Sequence, residues 1–159
     1  NDGGATWNSQ ETDAARSEGL FSIFFYDTSN GWAVGSGPII IYTSDGGNSW
    51  SRGRIFSGPS MLYSVHFTDA QTGWTSGQNG RIFHTGDGGA SWSEQTTETT
   101  ESLFSIFLTD AETGWAVGMN GVILHKDNGY DFDDRAPSVD GTEPPVLQPE
   151  VEAALRELG

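Results

Sequence analysis

The feature that most constrains this chain is a unit that occurs three times. Residues 62–92 read LYSVHFTDAQTGWTSGQNGRIFHTGDGGASW, and related copies occupy 20–50 and 103–132. The Gly-Trp pairs fall at Gly31-Trp32, Gly73-Trp74 and Gly114-Trp115, 42 and then 41 residues apart. A truncated copy opens the chain, because Asp2-Gly3-Gly4-Ala5-Thr6-Trp7 matches residues 45–50 and 87–92. Repeats of about 40–50 residues indicate propellers, solenoids or arrays, and the pattern inside the unit decides among them.

Each unit opens on an alternating run. In the first copy Phe21, Ile23 and Phe25 share one face and Leu20, Ser22 and Phe24 the other, which predicts a strand buried on both sides. A Gly-bearing turn leads to a short strand carrying the Trp. Asn79-Gly80 and Asn120-Gly121 follow, the hairpin signal of a type I′ turn whose two central residues need φ > 0. An apolar third strand comes next (39–42, 82–84, 122–125), then an Asp-Gly-Gly turn and a Trp that opens a fourth strand. Short antiparallel strands repeated with an aromatic signature describe propeller blades, and no helical period between them suggests a βαβ crossover. The predicted fold is all-β: three four-stranded propeller-type blades, with residues 1–7 as an extra outer strand.

Residues 43–50 (TSDGGNSW) and 85–92 (TGDGGASW) resemble the Asp-box, or BNR, hairpin. The longer phrase running from F-x-D through G-W-A-V-G to D-G-G-x-S-W resembles the repeat of photosystem II stability and assembly factors. The third copy departs from it, because residues 125–132 (HKDNGYDF) lack one Gly and the Trp. The resemblance covers about residues 1–132. It implies a propeller and a partner class: a photosystem or another membrane complex.

Composition narrows the function. The formal net charge is −15, which opposes nucleic-acid binding, a task for clustered Lys and Arg, and opposes docking on an anionic membrane. It favours solubility or a basic protein partner. There is no Cys, so neither a disulfide nor a thiolate metal site is available. No apolar run reaches the roughly 20 residues needed to span a bilayer as a helix. Because the chain starts inside a repeat, a leader or earlier repeats are expected to precede it.

Residues 1–132 are assigned to the blades and 133–159 to a tail. The tail runs from an acidic, Pro-bearing linker into residues 149–158 (PEVEAALREL), read as a short amphipathic helix with Val151, Leu155 and Leu158 on one face. Three blades fall short of the 4–8 of a ring, and an arc leaves two faces uncovered. Either the chain is a piece of a longer propeller, or two copies close a six-bladed ring as a homodimer, or a larger complex covers the ends. The tail favours the third.

The Asp-box carboxylates Asp2, Asp45, Asp87 and Asp127 recur once per unit. Asp turns rich in Gly can hold Ca²⁺, but single carboxylates in separate blades suit a structural role, accepting the backbone N–H groups of their own turns. Asp27, Asp69 and Asp110 are expected to fix the turn before Gly-Trp. Trp7, Trp50 and Trp92 are expected to pack between blades. His84 and His125 align with Tyr42, and His66 with Phe24 and Phe107, which fits packing better than ligation. No metal, cofactor or catalytic residue is expected.

A carbohydrate-binding or glycoside-hydrolase fragment is the rival reading, since Asp boxes also occur in sialidases. It lacks the arginine cluster of a sialidase and a cleft that opposes two carboxyls. The expected function is a non-catalytic scaffold or assembly subunit, extracytoplasmic (periplasmic or lumenal) and peripheral to a membrane complex. Its partner contacts are expected at Val151, Leu155 and Leu158, then at Arg52, Arg54 and Arg81.

Overall fold

The computed structural model describes residues 6–12, 18–37, 39–55 and 61–127. Blade one contains β1 (Leu20–Phe25), β2 (Gly31–Gly35), β3 (Ile40–Thr43) and β4 (Ser51–Arg52). After β5 (Arg54–Ile55), blade two contains β6 (Leu62–Phe67), β7 (Gly73–Gly77), β8 (Ile82–Thr85) and β9 (Ser91–Gln95). Blade three contains β10 (Leu103–Leu108), β11 (Gly114–Gly118) and β12 (Ile123–Lys126). Each blade is an antiparallel meander in sequence order. The fold is all-β, and the described residues include no α-helix. The expected helix at 149–158, with Val151, Leu155 and Leu158, lies outside the described residues, as does Asp2.

The three blades share one register. Phe24 pairs with Trp32, His66 with Trp74 and Phe107 with Trp115. Each first strand also carries a bulge at the same place, at Phe21, Tyr63 and Phe104. The first strands β1, β6 and β10 lie side by side across the arc. The Asn-Gly turns form as the residue chemistry requires. Asn79 (φ 59°) and Gly80 (φ 72°) are both left-handed, and the Arg81 N–H donates to the Gln78 carbonyl at 3.4 Å. Asn120 and Gly121 repeat this geometry in blade three.

Two cores hold the arc together. Trp32, Val34 and Ile40 of blade one meet Leu62, Val65, Phe67, Phe83 and Trp92 of blade two. Trp74 of blade two meets Leu103, Ile106, Leu108 and Ala116 of blade three. Full burial of such a side chain contributes about 1.5–3 kcal/mol, so these joints are the main source of stability.

Three expectations need correction and one falls outside the described residues. First, β1 is not buried on both sides: Phe25 and above all Ile23, 62% exposed, face outward, whereas Phe21 stacks on Tyr63 of blade two. The counterparts of Ile23 and Phe25 (Val65 and Phe67 in blade two, Ile106 and Leu108 in blade three) are buried because a neighbouring blade covers them, and among the described residues no sheet stands on that side of blade one. Second, the expected fourth strand of blade three lies outside the described residues, which hold the first three strands of that blade. Third, the fourth strand of blade one breaks at Gly53: β4 pairs with β3, whereas β5 runs parallel to β9 and makes a five-stranded sheet of blade two. A Cβ at Gly53 would lie 2.4 Å from the Gly89 carbonyl, so only glycine lets the chain pass there. Fourth, Thr6 and Trp7 are not in a strand, and the Trp7 side chain is 94% exposed. An Asp-box Trp needs strands of its own blade to cover, and no described strand precedes Trp7.

Candidate functional site

The Asp boxes are built from short-range hydrogen bonds. Asp45 Oδ1 accepts from the Ser49 N–H at 2.9 Å and from the Thr43 hydroxyl at 2.7 Å, while Oδ2 accepts from the Ser49 hydroxyl at 2.6 Å. The Thr43 hydroxyl oxygen in turn accepts from the Gly47 N–H at 3.0 Å. Thr85, Asp87, Gly89 and Ser91 reproduce the set in blade two. Both carboxyl oxygens are therefore spent on their own turn. The Ser49 hydroxyl, then the Ser49 N–H and the Thr43 hydroxyl, lower the Asp45 pKa to about 2. Burial of Asp87 pushes upward, but the Ser91 and Thr85 bonds outweigh it and the net direction is down.

Asp27, Asp69 and Asp110 cap the preceding turn. Asp27 Oδ1 accepts from the Ser29 and Asn30 N–H groups at 2.7 and 2.8 Å. Asp69 and Asp110 do the same with Gln71 and Thr72, and with Glu112 and Thr113. All three carboxyls titrate below their ordinary range. Asp127 departs: it is exposed, 3.5 Å from His125 Nδ1. Among the described residues no group of three or more acidic or His side chains could hold a metal ion.

These bonds make acid destabilising. A folded pKa of about 2, below the ordinary 3.8, means that Asp45 contributes its full stability above about 3.8 and loses it as pH falls through about 2. Urea midpoints measured from neutral pH into this range should drop, and Asp45→Asn should flatten the drop. Equal slopes for the two proteins would show that the turn bonds carry no pH-dependent stability.

The Asp box also receives the neighbouring blade. The Trp32 indole of blade one stacks on Phe67 of blade two, with ring centres 3.5 Å apart, and its Nε1 donates to the Gly88 carbonyl at 2.7 Å. Trp92 closes the same spot, donating from Nε1 to the Gly89 carbonyl at 3.0 Å. A Gly-Trp indole is thus the plug, and the Asp-Gly-Gly turn of the next blade is its socket. Trp74 is anchored differently, donating to Gln95 Oε1 at 3.2 Å within its own blade, with Lys126 Nζ 5.6 Å from the ring centre. Trp115 lies on the outward side of blade three, stacked on His125.

The histidines serve packing. His66 stands between Phe24 and Phe107, 4.7 Å from each ring. His84 packs on Trp74 at 4.7 Å.

The candidate basic contacts are separated by strand and by partner. Arg52 on β4 pairs with Glu18, and Arg81 holds Glu94 through Nε and Nη2 at 2.6 and 2.7 Å. Arg54 is exposed on β5, on the outer edge of blade two. One concavity is an open cleft of about 780 Å³ between blades two and three, with Trp74, Ile106, Leu108 and Leu124 on its apolar side and Glu98 and Lys126 among its charged groups.

Comparison with known proteins decides what this architecture belongs to. The sequence profile of the photosynthesis system II assembly factor YCF48 matches residues 1–58 and 56–137. The chain belongs to the YCF48 family. Over 54 residues it is 35% identical to the chloroplastic photosystem II stability/assembly factor HCF136 of Arabidopsis thaliana, a stretch covering 32% of this chain and 13% of that protein. It resembles the solved structure of YCF48 bound to D1 peptide at 27% identity and a TM-score of 0.63, over 72% of this chain and 39% of that one. YCF48 from Cyanidioschyzon merolae shares the fold at 19% identity and a TM-score of 0.62, over the same shares of the two chains. The chain therefore spans well under half the length of these relatives.

Within this YCF48-family arc, sequence reasoning missed the plug and socket and the cleft. The signal for the first was present, since Gly31-Trp32 is followed 56 residues later by the Asp87-Gly88-Gly89 turn of the next unit. Nothing local in the sequence marks the cleft, which arises from the meeting of two sheets.

Proposed function

We propose that this chain is a non-catalytic assembly or stabilising module that binds a protein segment of a photosynthetic membrane complex, as its relatives' names describe. The observation that carries this reading is the family match across residues 1–137, joined to the similarity with a YCF48 structure that holds a D1 peptide. The chemistry of the arc agrees with it. Its carboxylates serve their turns, and its open surfaces are an apolar cleft and exposed aromatic side chains. Arg54, with Arg52 and Arg81 beside their acidic partners, would meet acidic groups of the bound segment. Val151, Leu155 and Leu158 would supply an apolar contact from the tail. An extracytoplasmic site beside the membrane suits such a partner, and among the described residues no helix is long and apolar enough to cross a bilayer.

A labelled D1 peptide titrated into the full chain should give saturable anisotropy, weakened several-fold by Arg54→Ala. Absence of binding, with specific retention on a glycan array instead, would replace this reading with the carbohydrate one.

A further inference from the structure

We propose that His66 makes the joint between blades two and three sensitive to acid: when its imidazole takes up a proton, blade three loosens from blade two while the joint of blades one and two holds. The ring is half-buried at the middle of the arc, where β6 packs against β1 on one side and β10 on the other. Phe24 of blade one and Phe107 of blade three each lie 4.7 Å from it, and it hydrogen-bonds the Leu108 backbone of blade three. The three residues hold one position of the repeat, each paired with the Gly-Trp indole residue of its own blade. Phe24 packs against the core of the first joint. The second joint thus has a titratable ring where the first has a phenyl group.

Little else on these strands can carry charge. Apart from His66 and the Tyr63 phenol, no side chain of β1, β2, β6, β7, β10 or β11 is ionisable. Asp27, Asp69 and Asp110 stand in the turns that follow β1, β6 and β10 and accept from N–H groups of those turns. Two effects act on the His66 ring. Burial, the larger, disfavours the charged form and holds the pKa below the ordinary 6.5, and the bond to Leu108 favours the charged form. No charged side chain offsets the burial.

The joint itself is thinly bonded. Ser64 Oγ accepts from the Ile106 N–H at 3.2 Å, beside the His66 bond. The Trp74 indole donates within its own blade. Ser76, which stands where blades one and three have Val34 and Val117, buries a hydroxyl that has no hydrogen-bond partner among the described residues, and such a group costs stability. Linkage then gives the sign. Above pH 6.5 the ring is neutral whether the joint is closed or open. As pH falls below that, an opened joint lets the ring take up a proton that the closed joint resists, so opening is favoured until the closed form is protonated too.

Hydrogen exchange of the 159-residue chain, read by mass spectrometry and corrected for the intrinsic rate at each pH, tests this across the range of histidine, about pH 5–8. Protection of β10 and β11 should fall several-fold below pH 6.5, while that of β1 and β2 changes little. His66→Phe, which installs the residue of the other two blades, should remove most of that fall. His84→Tyr, which copies Tyr42, addresses the other half-buried imidazole of this joint, whose pKa is lowered by burial and by Lys126. It should leave the greater part of the fall in place. A proton titration of the His66 ring by NMR should give a pKa below 6.5. A value above 6.5 would mean that the two phenyl rings hold the cation and would overturn the proposal. So would a fall in protection that survives His66→Phe undiminished, or one that disappears in His84→Tyr.

Discussion

Replacing Trp32 with Ala is expected to unfold or nearly unfold the arc. Loss of a fully packed aromatic residue costs about 3–5 kcal/mol, and single domains have only about 5–15 kcal/mol to lose. Trp32 is 2% exposed, lies flat on Phe67, and donates an indole bond across the blades to the Gly88 carbonyl. The informative variant is Trp32→Phe. It keeps most of the stacking and removes the N–H donor, leaving a half-buried carbonyl to find another partner, at about 1 kcal/mol. Urea unfolding of the three proteins separates the terms. If Trp32→Phe matches the parent, the bond to Gly88 is dispensable and the joint is held by packing alone.

Gly80→Ala is expected to be the most damaging change of a single small side chain. Gly80 has φ 72°, and an added Cβ would lie 1.9 Å from the Thr99 carbonyl oxygen. The obstacle is backbone, so no rotamer can relieve it, and Thr97 is also tied to Gly80 by a 2.7 Å bond to its carbonyl. Left-handed strain and overpacking together should cost about 2–5 kcal/mol. Asn79→Gly, at the other left-handed position of the turn, is the control and should change the midpoint little. A Gly80→Ala protein as stable as the parent would mean that the 97–100 segment moves freely off the turn.

How much was legible in the sequence follows from the range of each interaction. Asn79-Gly80 was legible because two adjacent residues carry the whole conformational demand. Asp27, Asp69 and Asp110 were legible for the same reason, since their acceptors and donors lie within three residues. The exposure of Ile23 was misread because alternation reports which face a side chain takes and not whether anything covers that face. Trp7 was misread because an Asp-box motif was credited with packing that the preceding strands of a blade must supply. The parallel pair of β5 with β9 left no trace in pattern, being two residues long. The site residues show the same division. Asp45 and Asp87 form their turns from local bonds. Arg52 and Arg81 looked available for a partner, but their carboxylate partners Glu18 and Glu94 are 34 and 13 residues away.

The two-residue strand β5 has a mechanical meaning. It leaves blade one and lies along the outer edge of blade two, with the Arg54 N–H donating to the Ala90 carbonyl at 2.9 Å. In arrays of repeats, stability is a sum of the units and of the couplings between nearest neighbours. The first coupling here has a hydrogen-bonded strap, an indole bond between blades and the larger core. In the second, Trp74 spends its indole N–H within its own blade. Opening should therefore proceed in order, with blade three exchanging its amide hydrogens first while blades one and two release theirs together as a single cooperative unit.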